Sequence, residues 1–240
     1  MTLAIRDTEL RELMDAADCD PIRLDRTLRR FTVINRLVGG WGRVVRREIL
    51  PRLGDAQHSG IPVRVLDVGC GGGDVLRRVV RRLRRAGIDA SGVGIDPDPR
   101  AIAVARRTGD PFVSYRTVRA EALADALPES GETFDVVISN HVLHHLPDVE
   151  RRVFFTATAS LAARVAIHSD IRRGRVAFAL YAALVTPFAP GTFLRVDGLR
   201  SIRRSYRVPE LASVVPSRWR VRPSRPFRLL AIHEAVGHDA

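Results

Sequence analysis

The chain has no lysine at all. Every one of its 39 basic residues is arginine, set against 27 aspartates and glutamates for a formal net charge of +12 over 240 residues. Without lysine a P-loop, which needs Gly-Lys-Ser/Thr, is excluded. There are only two cysteines, Cys19 and Cys70, too few for a disulfide framework, so both thiols are expected to be reduced. No apolar run reaches the ~20 residues a bilayer span requires. The longest, from Ala177 to Ala189, is broken by Thr186 and Pro187. The first ten residues lack a basic region leading into an apolar one, so a secretory signal is not expected and the reading is cytoplasmic. Internal repeats and low-complexity tracts are absent.

The arginine excess has two readings: an anionic partner such as RNA or a membrane surface, or a preference for arginine over lysine with the charge spread on solvated faces. The residues run from Arg6 to Arg228 with only local clusters. In the densest, Arg77 to Arg85, a helix leaves Val79, Val80 and Leu83 for a core. The second reading is favoured, so nucleic acid is not expected as a partner; peripheral membrane contact and a homodimer are left open.

The first 58 residues carry no strand pattern. Asp20-Pro21 suits a helix start, and Leu24, Leu28, Phe31 and Ile34 recur at helical spacing. A second helix is expected from Trp41 to Leu50, ending near Pro51, and Gly54 to Pro62 reads as a linker. Residues 1–58 are therefore expected to form a helical N-terminal unit, and 59–240 the main domain. From Val63 short apolar runs alternate with helical ones: 64–68, 91–95, 113–115, 135–139 and 164–167, then 218–222 and 227–232. Repeated β–α units predict an α/β fold, a doubly wound, mostly parallel seven-stranded sheet. The closely spaced last two runs predict a terminal antiparallel hairpin.

The decisive stretch is Val65-Leu66-Asp67-Val68-Gly69-Cys70-Gly71-Gly72-Gly73-Asp74. An apolar strand enters a glycine-rich turn that opens a helix. Four glycines in five positions exceed what a tight turn needs and suit close approach of backbone to a ligand. The dinucleotide fingerprint G-x-G-x-x-G fails in both registers, since Asp74 or Leu76 would stand at its last glycine. A second strand closes on Gly94-Ile95-Asp96-Pro97-Asp98. A carboxylate in that place can accept both hydroxyls of a ribose. The fourth strand runs Phe134 to Ser139 into Asn140-His141-Val142-Leu143-His144-His145.

Taken in order, these motifs resemble class I S-adenosylmethionine-dependent methyltransferases, in particular bacterial small-molecule enzymes acting on quinone and polyketide precursors. The resemblance covers roughly residues 60 to 170. It implies S-adenosylmethionine as cofactor, with S-adenosylhomocysteine as product. It implies that Asp67 helps orient the methionine end, that Gly69, Cys70, Gly71, Gly73 and Pro97 lie against the cofactor, and that Asp96 meets the ribose. Glu121-Ala122 would contact the adenine, although the family's usual acid there is aspartate and Asp125 is the alternative. Asn140 would touch the cofactor from the fourth strand.

Ligands in such sheets bind outside the carboxyl ends of the strands. His141, His145 and His168 are therefore candidates for a general base toward an acceptor hydroxyl, since imidazole titrates near neutrality. His141, His144 and His145 could share one helical face, but no acidic or cysteine partner completes an obvious ligand set, so no metal site is expected. Ser139-Asn140-His141-Val142 stands where nucleic-acid amino-methyltransferases carry Asn/Asp-Pro-Pro-aromatic. By resemblance the acceptor is a small lipophilic phenol, pyrone or quinone precursor, methylated on oxygen or carbon, and the helices of residues 1–58 resemble the lid that such enzymes place over it; the apolar segment 176–188 is a candidate for the other wall, and a basic loop from Asp197 to Tyr206 could meet the acceptor. An RNA methyltransferase and a non-catalytic cofactor-binding subunit are the competing functions.

Overall fold

The computed structural model describes residues 3–54 and 60–235. All seven expected strands form: β1 (Val63–Val68), β2 (Ala90–Asp96), β3 (Val113–Thr117), β4 (Phe134–Asn140), β5 (Ala162–Ile171), β6 (Trp219–Ser224) and β7 (Arg228–Glu234). They join one sheet in the order β3-β2-β1-β4-β5-β7-β6. β1 to β5 pair in parallel, and β7 inserts antiparallel between β5 and β6. The order reverses between β1 and β4, so the loops leaving those strands diverge and open a crevice. That crevice holds the glycine turn on one side and Asn140 on the other.

The helices are α1 (Pro21–Val38), α2 (Trp41–Val44), α3 (Leu50–Leu53), α4 (Asp74–Arg85), α5 (Pro99–Arg106), α6 (Ala120–Asp125), α7 (Leu127–Ser130), α8 (Asp148–Leu161), α9 (Arg175–Leu184), α10 (Leu194–Arg204) and α11 (Val208–Ala212). Asp20 caps α1, its carboxylate accepting from the N–H groups of Ile22 and Arg23. In α4, Val75, Leu76, Val79, Val80 and Leu83 are buried against the sheet, each contributing about 1.5–3 kcal/mol by leaving water. Arg77 departs from the expected solvated run: it turns inward and donates to the Tyr115 hydroxyl at 2.8 Å. Arg151, Arg173, Arg204 and Arg228 are buried as well. Arg173 shows why: its planar fork reaches Leu3 and Ser205 carbonyls and Glu210 together. Part of the arginine excess is thus internal bonding.

The helix from Trp41 runs on through a π-helical stretch, Val45–Ile49, to Leu53, past the expected stop near Pro51. A wider turn ahead of Pro51 accommodates the ring and its missing N–H, which would obstruct a regular α-turn. Trp41, Ile49 and Leu53 are fully buried in the same core as β1, β4 and α4. This helix therefore covers the sheet, while the preceding residues, 12 to 38, reach the crevice. Of the expected linker from Gly54 to Pro62, residues 55–59 lie outside the described residues, and so does the boundary after residue 58.

The expected loop from Asp197 to Tyr206 is instead mostly helix α10. Its polar groups serve as ties: buried Asp197 accepts from the N–H groups of Leu13 and Met14 at 2.8 and 3.0 Å, and burial pushes its carboxyl up to about 6. Gly198 leaves room for the Tyr181 ring, which a Cβ would meet at 2.1 Å.

Candidate active site

One cavity of about 720 Å³ spans the carboxyl ends of β1, β2 and β4. Gly69 and Gly71 have φ of +69° and +52°, which L side chains adopt at a cost. A Cβ on Gly69 would also meet Val142 Cγ2 at 2.5 Å. Gly69, Cys70, Gly71 and Gly72 line the cavity; Gly73 does not. Gly73 caps α4 at φ +73° and sits against the Tyr115 hydroxyl, 2.3 Å from where its Cβ would be. Its glycine therefore serves packing, and the expected cofactor contact is corrected.

Asp67 is fully buried and lines the cavity, and neither carboxylate oxygen has a hydrogen-bond partner. Burial, with Asp74 and Asp96 close by, raises its carboxyl well above the ordinary value. A buried orphan carboxylate beside a glycine loop fits a ligand that brings its own N–H donors. Asp96 follows β2, and its oxygens accept from the N–H groups of Gly71 and Asp98 at 2.9 Å each. A carboxylate accepts about four hydrogen bonds, so capacity for a ribose diol is left. Pro97 and Glu121 also line the cavity, with Ala120 rather than Ala122 beside them. Asp67, the glycine turn and Asp96 together fit an amino-acid-bearing nucleoside.

The fit carries a pH consequence. A ligand ammonium beside Asp67 favours the ionised carboxylate, so S-adenosylhomocysteine binding is expected to release a proton. Affinity then rises with pH toward the raised value and levels off above it. Calorimetry in two buffers of different ionisation heat measures the release, and in Asp67→Asn the difference between buffers should disappear.

The histidines part ways. His168 is fully buried in the core, stacked on Trp219 and beside Phe154 and Phe155. Its ring nitrogens lie 2.8 Å from Ser139 Oγ and 2.9 Å from Thr158 Oγ1. Burial, with His233 nearby, pulls it down to about 3. It does not line the cavity, and its candidacy as a base is corrected. His141 does line the cavity, at φ +64°. Arg228 donates to its Nε2 at 2.6 Å, and burial together with that guanidinium holds it well below the usual range. The same guanidinium donates to Ser169 Oγ and Asn140 Oδ1, and the Trp41 indole N–H also donates to Asn140 Oδ1, at 3.2 Å.

His144 and His145 face Glu12, which sequence reasoning did not single out. His144 Nδ1 lies 2.8 Å from Asp170 Oδ1, and its Nε2 lies 3.2 Å from Glu12 Oε1. Burial lowers the His144 pKa, but the two carboxylates outweigh it and raise it to about 9. His145 Nδ1 lies 3.1 Å from Asp15 Oδ2, and its Nε2 3.5 Å from Glu12 Oε1. Burial raises the Glu12 pKa, and His145 and His144 more than offset this, holding it down at about 2. The opposite wall is apolar: Phe31, Ile34 and Val38 of α1 face Leu180, Leu184 and Phe188. Of segment 176–188, Ala177, Leu180, Tyr181, Leu184, Val185 and Phe188 line the cavity.

Comparison with known proteins agrees with this geometry. Residues 65–164 match the family model described as a methyltransferase domain. The ubiquinone biosynthesis O-methyltransferase of Rhizobium etli is 39% identical over 127 residues, covering 50% of this chain and 46% of that protein. The matched stretch thus spans less than half of that relative. Among solved structures, the CurJ carbon methyltransferase superimposes with a TM-score of 0.59 at 14% identity, over 91% of this chain and 61% of that one. Human N-acetylserotonin methyltransferase in complex with S-adenosylmethionine gives 0.58 at 13%, over 95% and 59%. At such identities the likeness is one of fold. Residues 65–164 thus carry the likeness to a methyltransferase domain, in line with the motifs.

Proposed function

We propose that the protein transfers a methyl group from S-adenosylmethionine to a hydroxyl of a small lipophilic acceptor, a phenol or quinone precursor. The observation that carries this reading is that one cavity is lined both by Asp67, the glycine turn and Asp96 and by apolar side chains of α1 and α9. The name of the Rhizobium etli relative supports oxygen as the methylated atom. S-adenosylmethionine supplies an electrophilic methyl on a sulfonium. The chain's task is to hold the acceptor oxygen in line with that methyl and to remove its proton, and positioning accounts for much of such a barrier. The apolar walls exclude water and orient a flat ring. His145 and His141 border the space where the hydroxyl must lie, and we assign the hydroxyl to the His145 side, because Arg228 already occupies His141 Nε2.

A melting comparison tests the donor half of this reading. S-adenosylhomocysteine and S-adenosylmethionine at ~100 times Kd should each stabilise the fold by ~2.7 kcal/mol, and NAD should give no shift. A shift with NAD alone, or none with the sulfur compounds, sinks it. For the acceptor half, His145→Ala should lower turnover of a phenolic acceptor by about 100-fold or more with S-adenosylhomocysteine affinity unchanged. Normal turnover in that variant would return His145 to a packing role.

A further inference from the structure

We propose that Glu12, His144 and His145 bind a divalent transition-metal ion of the zinc type, with an open coordination position facing the acceptor end of the cavity. Three ligand atoms, one carboxylate oxygen and two imidazole nitrogens, lie within 4.8 Å of one another. Both Nε2 atoms converge on the same oxygen, at 3.2 and 3.5 Å. Ligands held at ~2.0–2.1 Å around a tetrahedral ion are themselves about 3.3 Å apart, so the two edges that meet at the Glu12 oxygen already have the length of such a site.

The surroundings point the same way. A metal-binding imidazole commonly gives its other ring N–H to a carboxylate, which sets the tautomer and the ring's orientation. Here both do: His144 Nδ1 is held by Asp170, and His145 Nδ1 by Asp15. Each Nε2 is thereby turned toward the shared Glu12 oxygen, where a metal ion would take the place of the proton of the His144–Glu12 ion pair. Asp170 also accepts from the His144 backbone N–H at 2.9 Å, which fixes the ring's base, and the Ser201 hydroxyl donates to the Glu12 carboxylate. Two histidines and a carboxylate suit zinc and its borderline neighbours rather than magnesium or calcium, which take oxygen sets.

Glu12, Asp15, His144 and His145 all line the cavity. A hydroxyl entering the open position would bind through oxygen and lose its proton to solvent. The oxygen then forms the bond to the methyl carbon as the carbon–sulfur bond breaks, with that electron pair left on sulfur as a neutral thioether. The inference rests on the methyltransferase reading for where the acceptor lies, and it assigns the contact of His145 with the hydroxyl to the ion that His145 helps hold.

The test is a titration of the chelator-treated full chain with Co²⁺, followed by visible absorption, and with Zn²⁺ by calorimetry, both without substrate. One equivalent should bind, with the visible absorption of a low-coordinate nitrogen–oxygen site, and Zn²⁺ should displace Co²⁺. Glu12→Gln and His145→Asn should each weaken binding at least tenfold while the melting shift with S-adenosylhomocysteine persists. Absence of stoichiometric binding, or equal binding by both variants, overturns the metal site and leaves Glu12 as an ion-pair partner of His144. Loss of the S-adenosylhomocysteine shift in the unaltered chain would instead overturn the methyltransferase reading, and the two failures are told apart.

Discussion

Asp96→Ala should weaken S-adenosylhomocysteine binding about 100-fold, measured by calorimetry. The expectation comes from what the carboxylate has left to give. Two of its acceptor positions are taken by the Gly71 and Asp98 N–H groups. The others open into the cavity at the end of β2. Two hydrogen bonds from a ribose diol to an ionised group, at about 1.5 kcal/mol each, come to roughly two tenfold steps in affinity. Burial raises the Asp96 pKa, and its contacts with those two N–H groups act against the rise, so the charged form is partly held in advance of the ligand. Asp96→Asn keeps an acceptor oxygen and should lose only about tenfold. The alanine variant also frees the Gly71 N–H, so its melting point is to be read before its affinity. Binding within threefold of the unaltered chain, in a folded variant, would remove Asp96 from the site.

What the sequence disclosed and what it hid divide along one physical line. The strands were legible because buried strands in a parallel sheet read as short apolar runs. β5 was underestimated, as 164–167 rather than Ala162–Ile171, because its end is His168-Ser169-Asp170. Polar residues there look like the start of a loop. They remain in the sheet because each finds a buried partner: Ser139 and Thr158 for His168, Arg228 for Ser169, His144 for Asp170. The glycine turn and Asp96 were legible because their signal is local, a strand end followed by residues of a given type. Glu12 was not, because it meets His144 across 132 residues of chain, and no spacing rule reaches that far. Arg228, 87 residues from His141, stood unnoticed among 39 basic residues. Gly73 shows the opposite error. Its place in the motif suggested a cofactor contact, while its neighbour in space is Tyr115.

Gly69→Ala should cost about 30-fold in S-adenosylhomocysteine affinity, and Val142→Ala in the same chain should restore about half of that loss on a logarithmic scale. Two separate penalties meet at this position. The first is conformational: φ is +69°, a region costing an L residue roughly 1 kcal/mol or more. No change elsewhere removes it. The second is steric, the 2.5 Å approach of a new Cβ to Val142 Cγ2. Val142 belongs to the loop that leaves β4 with Asn140 and His141, so pushing it away shifts the opposite wall of the crevice as well as the turn. Valine is branched at Cβ and has no low-cost rotamer into which to retreat, so the loop rather than the side chain must give. Trimming Val142 removes the clash and leaves the backbone cost, which is why recovery should be partial. Full recovery would mean the turn tolerates alanine freely; none would mean that the left-handed backbone alone sets the cost. A double-mutant cycle over the four proteins separates these cases, and a coupling energy near zero would show that the turn and the β4 loop do not act on the donor together.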